Sequence, residues 1–305
     1  MTGRVLIRAG RRGRCHPGAR DDEEAAPADD NGRPGWARWF SRPPVRVAVI
    51  STLALGALIT VTPASGAAGD LATSFVRTVR YLGSTSHNGQ AFDGTPAVGA
   101  LFATSAGKLS QHFCTASVIN SPHGDLVITA AHCVTGTSGT VAFVPGYNNG
   151  AAPYGVWTVT KVYVDHAWSS SGSPDDDVAI LKVSKPGATA PIEDVTGAEE
   201  LATGTPATRQ LVEVIGYPDS SNQPITCRNW LKEPMTDQLE FDCGGYTDGT
   251  SGGPFLSKVD FTTGQGTVIG VIGGYEQGGD TPQVSYSAVF GSNVAAIYKA
   301  AVAGG

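Results

Sequence analysis

The most informative stretch of this chain is GGYTDGTSGGPFLS, Gly244–Ser257. It holds five glycines in fourteen residues, too many for the interior of a stable helix or strand. A serine hydroxyl is a weak nucleophile until a base takes its proton, and the oxyanion that it creates needs preorganised hydrogen-bond donors. Since Gly249 lies two residues before Ser251, no side chain there would shield the backbone N–H from a substrate. The stretch predicts a nucleophile at Ser251 with an oxyanion hole formed by the N–H groups of Gly249 and Ser251; a tight structural turn is the alternative interpretation.

A base and an orienting acid are found in two other stretches. LVITAAHCV, Leu126–Val134, is an apolar run that ends at His132, and an imidazole titrating near neutrality is a suitable base for such a serine. SPDDDVAILKV offers three consecutive aspartates, of which Asp177 directly precedes an apolar strand. We therefore assign Asp177 to orient His132. A solvated acidic turn or a weak Ca²⁺ site is the alternative for Asp175 and Asp176.

Several classes of site are not expected. The remaining histidines beyond the leader lie in polar or turn-like contexts and are predicted to be solvated: His87, His112, His123 and His166. The sequence has no HExxH or comparable spacing, so neither a catalytic metal nor a cofactor is predicted. Ten of the 21 basic and six of the 27 acidic residues lie in 1–46, which leaves 11 basic against 21 acidic residues in the rest. This acidic body argues against a nucleic-acid partner.

The N-terminal residues 1–67 are predicted to be a leader and signal peptide. Arginines precede fifteen uncharged residues, Val47–Val61, and the small residues 65–67 offer a cleavage site. That order is typical of a secretory signal. A membrane anchor is the alternative, but a spanning helix needs about 20 apolar residues and Pro63 interrupts the run. We expect a secreted protein with no stable membrane association after cleavage, and a propeptide or linker over 68–92.

Four of the five cysteines lie beyond the leader, an even number in an exported chain. Two disulfides are therefore predicted, and three pairings are open. Proximity in sequence favours Cys114–Cys133 and Cys227–Cys243.

The rest of the chain alternates short β-like runs with segments rich in Gly, Pro and Asn, as in TVAFV before PGYNNGAAPYG. Runs spaced by about ten residues are typical of all-β folds. The segment 187–206 is predicted to link two β-rich halves, about 93–186 and 207–292. The tail, 293–303, is predicted to be a helix with Asn293 as its N-cap.

The motifs TAAHC, DVAIL and GTSGGP, in that order, resemble those of the chymotrypsin/trypsin-like serine peptidases. The order His132, Asp177, Ser251 is that of this family and differs from the orders in subtilisins and α/β-hydrolases. The resemblance covers about 95–292, and it looks closest to secreted bacterial trypsin-like peptidases, which are related to glutamyl endopeptidases. It implies an all-β fold of two six-stranded antiparallel β-barrels with the site between them. The implied activity is hydrolysis of protein or peptide substrates through an acyl-enzyme, and we expect a monomer.

The sequence departs from the family pattern at two positions, and these departures change what the resemblance implies about activation and substrate preference. Thr250 stands where many animal members have Asp, so activation by a buried ammonium group is not expected. Gly245 stands where trypsin has the pocket aspartate, so cleavage after Lys or Arg is not predicted. The substrate pocket is predicted to be lined by Gly245, Tyr246, Gly273, Gly274 and Tyr275.

The alternative function from a different class is a catalytically silent member of the same fold that acts as a binding or adhesion module. Silent members usually lose a triad residue, and all three are present here. An esterase is less favoured because nothing indicates an acyl-chain pocket.

Overall fold

The computed structural model describes residues 85–136, 140–206, 209–232 and 236–304. The predicted leader, its signal peptide and most of the predicted propeptide lie outside the described residues. Within the described ranges, no helix is both long and apolar enough to cross a membrane.

The described residues form a mostly β structure. Its strands are β1 (Gln90–Ala91), β2 (Val98–Ser105), β3 (Lys108–Ile119), β4 (Leu126–Thr129), β5 (Thr140–Pro145), β6 (Trp157–Val164), β7 (Ala179–Ser184), β8 (Glu200–Leu201), β9 (Leu211–Gly216), β10 (Ile225–Trp230), β11 (Gln238–Asp242), β12 (Pro254–Ser257), β13 (Thr267–Val271) and β14 (Val284–Ala288). The α-helices are His166–Ser171, Ile192–Thr196 and Ser292–Ala303, and 3₁₀ turns occur at Ala131–Cys133, Pro174–Asp176 and Tyr275–Gly278.

The first half is a closed antiparallel barrel in the order β2-β3-β4-β7-β6-β5. The position of strand β4 explains why its residues form a continuous apolar run instead of alternating between apolar and polar. Val127 packs among the residues that fill the barrel, whereas Leu126 and Ile128 pack into a second cluster shared with the other half. Because successive side chains of a strand point to opposite faces, burial of both faces requires apolar residues throughout.

The second half takes its six main strands from β9 to β14. Strands β10, β9, β12 and β13 form a sheet that β1 and β8 extend at its edges, and β11 pairs with β14 in a separate ladder. Single backbone hydrogen bonds connect the two parts, from Gly273 to Tyr286 at 3.0 Å and from Lys232 to Glu240 at 3.0 Å. The predicted all-β fold class with a C-terminal helix is confirmed, and among the described residues one barrel, the first, closes through continuous strand pairing.

The C-terminal helix joins the two halves. Its buried face, Val294, Ile297 and Ala301, belongs to the same hydrophobic cluster as Ile128 of the first half and Val271 of the second. Burying three such side chains is worth several kcal/mol at about 25 cal/mol per Å² of apolar surface. The helix therefore stabilises the packing of one half against the other.

The predicted N-cap of this helix is wrong. Gly291 occupies the N-cap position. The Asn293 side chain accepts from the Gly291 N–H at 3.2 Å and donates from Nδ2 to Asp176 Oδ1 at 2.8 Å. The Asn293 side chain therefore connects the start of the helix to the turn before Asp177.

Residues 85–92 are incorporated into the second half. Gln90 and Ala91 pair with β10, and the Gly89 N–H donates to the Gly244 carbonyl at 2.7 Å. The Gly244 N–H in turn donates to the His87 carbonyl at 2.9 Å. Residues 68–92 are predicted to be a propeptide or linker. Their C-terminal end, 85–92, contains an edge strand beside the loop that leads to Ser251.

Candidate active site

His132 is held by the 3₁₀ turn that follows β4. The turn spans Ala131–Cys133, and Cys133 is bonded to Cys114 of β3 with a Cα–Cα distance of 6.2 Å. The His132 side chain is 17% exposed, so one edge of its ring reaches the surface. The disulfide therefore fixes the turn that presents the imidazole, and the second disulfide, Cys227–Cys243, is also present.

Asp177 receives three N–H groups while being almost completely buried. It is 1% exposed; its Oδ1 accepts from the His132 backbone N–H at 2.8 Å and its Oδ2 lies 2.7 Å from His132 Nδ1. Oδ2 also accepts from the Gly274 N–H at 2.9 Å. Since a carboxylate only accepts, Nδ1 carries the proton and Nε2 is left with its lone pair. This is the imidazole tautomer that a general base needs.

The two preceding aspartates have structural partners instead. Asp175 Oδ1 accepts from Gln238 Nε2 at 2.6 Å, and Asp176 Oδ2 accepts from the Ser173 hydroxyl at 2.7 Å. Neither forms a hydrogen bond with His132. Of the three acids in the motif, Asp177 is the one that contacts the histidine.

The loop around Ser251 needs its glycines. Gly249 has φ of 89°, and a Cβ there would lie 2.5 Å from the Asp219 backbone nitrogen. Gly252 has φ of 80°, and its Cβ would overlap the Thr115 carbonyl oxygen. Both positions combine left-handed backbone with contact against other backbone atoms, so a larger residue would displace the loop.

This loop borders a cleft of about 920 Å³ that His132, Gly249 and Ser251 line together. Within the described residues, the N–H groups of Gly249 and Ser251 donate to no protein acceptor. An unpaired pair of amides beside a serine is the arrangement that binds an oxyanion.

The cleft is acidic. Four carboxylate side chains line it: Asp219, Asp248, Glu276 and Asp280. Among the described residues of its lining, none is Lys or Arg. The potential inside it therefore favours cationic groups.

Four of the five predicted pocket residues, all of them described, are not among the residues that line this cleft. Tyr246 lines it, although its hydroxyl donates away from the cleft to the Val214 carbonyl at 2.6 Å, and burial raises the pKa of Tyr246. Gly273 and Gly274 lie behind it against Asp177, and the ring of Tyr275 packs against Tyr286. The lining on this side comes instead from residues 276–282. The assignment of Gly245, Gly273, Gly274 and Tyr275 to a specificity pocket stays a prediction.

The sequence profile of the family described as Trypsin matches residues 85–292. The chain belongs to the trypsin family. Trypsin theta of Drosophila erecta is 36% identical over 114 residues, which are 36% of this chain and 40% of that protein. The chain thus spans less than half the length of that curated relative.

Solved structures of trypsin-like proteases share the fold. Protease Anisep from Arthrobacter nicotinovorans is 24% identical with a TM-score of 0.60, and the alignment covers 70% of this chain and 99% of Anisep. A Glu endopeptidase is 18% identical with a TM-score of 0.55, and the alignment covers 71% of this chain and 97% of that one. At these identities the likeness establishes the fold alone.

Many trypsin-family members have an aspartate directly before the serine, whereas this chain has the uncharged residue Thr250. Thr250 is 2% exposed, and its hydroxyl donates to the Thr247 carbonyl at 2.7 Å. The bond closes a local turn and requires no ammonium group.

Sequence reasoning misjudged one buried residue and missed two others. His112, predicted to be solvated, is 2% exposed among Phe102, Tyr147 and Tyr217, and its Nε2 lies 3.1 Å from the Ser221 carbonyl oxygen. Burial lowers its pKa. Glu199 and Thr115 are each fully buried, but no local pattern marks either residue.

Proposed function

We propose that the chain is a secreted serine endopeptidase that hydrolyses protein or peptide substrates. Ser251 is the nucleophile, His132 the general base and then acid, and Asp177 the orienting carboxylate. The observation that carries the proposal is that His132, whose Nδ1 lies 2.7 Å from Asp177 Oδ2, lines the same cleft as Ser251. Membership of the trypsin family and the motif order support it.

The chemistry follows from these positions. His132 Nε2 takes the hydroxyl proton as Ser251 Oγ bonds to the substrate carbonyl carbon, and the N–H groups of Gly249 and Ser251 stabilise the resulting oxyanion. Collapse of this intermediate breaks the peptide C–N bond, and the imidazolium protonates the departing amine. Water then attacks the acyl-enzyme with His132 again as base, which releases the acid and restores the hydroxyl.

Asp177 stabilises the imidazolium that forms in both halves of this cycle. Because it is almost completely buried and accepts three N–H groups, its charge is held in one orientation. Burial also strengthens its attraction for the charged ring, since little water screens the pair.

Export is supported by the order of charged, apolar and small residues in 1–67 and by the two disulfides, which are typical of oxidising compartments. The proposal includes cleavage of that leader outside the cytoplasm.

The deciding experiment uses the parent protein and Ser251→Ala. The parent should react with a fluorophosphonate probe and hydrolyse a denatured protein, whereas the variant should do neither while keeping its thermal unfolding midpoint within a few degrees. Hydrolysis by Ser251→Ala at the parent's rate would rule out the proposal. A folded parent that neither labels nor hydrolyses would favour the silent binding module instead.

A further inference from the structure

The loop formed by residues 247–253, the nucleophile loop, is anchored through its carbonyl oxygens. The Asp248 carbonyl accepts from the Asp219 N–H at 2.8 Å, and the Thr250 carbonyl accepts from the Gly253 N–H at 2.9 Å. A peptide group points its carbonyl and its N–H in opposite directions. Because these two carbonyls are held, the N–H groups of the same two peptides, those of Gly249 and Ser251, are held in the opposite direction, and both residues line the cleft.

One residue of the other barrel supplies the two remaining anchors. Thr115 in β3 donates its hydroxyl to the Gly249 carbonyl at 3.0 Å and its backbone N–H to the Ser251 carbonyl at 2.7 Å. Its side chain thereby fixes the peptide that follows Gly249, and its main chain fixes the peptide that follows Ser251. The two proposed oxyanion donors are the residues whose carbonyls Thr115 holds.

The Thr115 hydroxyl is itself held in place. It accepts from the Tyr217 N–H at 2.9 Å, and the Thr115 carbonyl accepts from the Thr129 hydroxyl at 2.7 Å. Thr129 ends the strand that leads to His132. With no exposed surface, Thr115 has no water to replace a lost partner, so each bond is costly to break.

The backbone freedom of Gly249 explains why its carbonyl needs an anchor. Because it lacks a Cβ, its φ and ψ are restrained less by sterics than those of any other residue type. Rotation of an adjacent peptide would turn an oxyanion donor out of the cleft. An anchor on the Gly249 carbonyl opposes that rotation without placing a side chain in the substrate's path.

We propose that Thr115 is a positioning residue: its hydroxyl holds the Gly249 carbonyl so that the N–H groups of Gly249 and Ser251 stay directed at the substrate carbonyl. This inference rests on the proposed peptidase function and extends it to a residue of the first barrel that does not contact the substrate.

The test compares Thr115→Val, which keeps the shape and removes the hydroxyl, with Thr115→Ser, which keeps the hydroxyl. Thr115→Val should lower kcat by about ten- to a hundred-fold, less than the loss of a whole oxyanion donor, and should leave KM within about threefold. Affinity for a peptide aldehyde, whose hemiacetal oxygen occupies the oxyanion hole, should fall in parallel with kcat. Thr115→Ser should restore most of both quantities.

Thr196→Val is the matched control. Thr196 is also a buried threonine, and its hydroxyl donates to the Ile192 carbonyl at 3.0 Å, in a helix outside the nucleophile loop. The Thr196→Val variant should lower the unfolding midpoint as Thr115→Val does, and it should leave kcat and the affinity for the aldehyde unchanged. Equal losses of kcat in the two variants would reduce Thr115 to a structural role and overturn the inference.

A measurement independent of turnover separates this inference from the proposed function. Deuterium exchange of the peptide that spans 247–253 should be at least several-fold faster in Thr115→Val than in the parent, Thr115→Ser or Thr196→Val. Unchanged exchange together with unchanged kcat would contradict the inference. If Ser251→Ala hydrolysed peptides as well as the parent, the peptidase function would fail, while the exchange result would still decide whether Thr115 anchors the loop.

Discussion

Replacing Asp177 by asparagine tests the proposed mechanism at its most constrained point. The carboxylate accepts three N–H groups, from the His132 backbone, His132 Nδ1 and the Gly274 backbone. An asparagine side chain offers one acceptor oxygen and one NH₂ donor in the same space. No orientation of the amide can satisfy all three donors.

The two orientations fail in different ways. With its oxygen toward Nδ1 and Gly274, the amide NH₂ opposes the His132 backbone N–H, a buried conflict that costs about 1–3 kcal/mol. With the amide reversed, the NH₂ faces Nδ1, and the imidazole must carry its proton on Nε2, where it can no longer accept from Ser251. In both cases no negative charge offsets the imidazolium.

We expect Asp177→Asn to lower kcat/KM by about ten-thousand-fold, which corresponds to about 5 kcal/mol of transition-state stabilisation. Initial rates on a fluorogenic peptide measure the loss, and thermal unfolding establishes that the fold is retained. Asp176→Asn is the matched control, because Asp176 belongs to the adjacent turn and bonds Ser173 and Asn293 instead of His132. If Asp176→Asn lost activity while Asp177→Asn stayed within tenfold of the parent, the assignment of the orienting acid would be refuted.

Three further predictions concern stability and substrates. A chain starting at Asp93 lacks the edge strand within 85–92 and the hydrogen bonds of this segment to Gly244. Its unfolding midpoint should therefore lie about 5 °C or more below that of a chain starting at Thr85. Equal midpoints in calorimetry would show that the strand is dispensable. Burial raises the pKa of Glu199 to about 8, with Glu213 adding to the rise and the Gly266 N–H opposing it. Because the folded state then binds more protons than the unfolded state, the free energy of unfolding should fall as pH rises from about 5 to 8. Glu199→Gln should flatten that fall in denaturant titrations at both pH values, and an unchanged slope would contradict the buried acid as its source. Peptides with Lys or Arg near the scissile bond, at positions other than the residue directly before it, should have a higher kcat/KM than matched acidic peptides, by a ratio that shrinks as salt increases. A ratio insensitive to salt would contradict an electrostatic origin in the cleft.

Local chemistry explains what could be predicted from the sequence. The run Leu126–Thr129 is buried on both faces, and the glycines at 249 and 252 have left-handed backbone that other residues adopt with strain. These features follow from the residues themselves, so the strands, the nucleophile loop and the helical tail could all be inferred. The contact between His132 and Asp177 could be predicted because Asp177 directly precedes an apolar strand.

Long-range partners explain what was missed. Thr115 occupies an ordinary strand position, and its role depends on Gly249, 134 residues away in the sequence. The strand Gln90–Ala91 has two residues, too few for any periodicity, and it exists through pairing with β10. The contribution of Asp219 to the acidity of the cleft was missed for a related reason, since Asp219 and Glu276 come from separate loops that the fold brings together.

The C-terminal helix constrains the order in which the chain can assemble during its synthesis. The first barrel's strands leave the ribosome well before the helix that packs against them, so the part of the barrel's outer face that the helix covers stays uncovered until residues 292–303 emerge. The turn before Asp177 is likewise incomplete until then, because Asn293 provides two of its bonds. A nascent chain therefore contains His132, Asp177 and Ser251 before the turn that leads to Asp177 has all its hydrogen bonds.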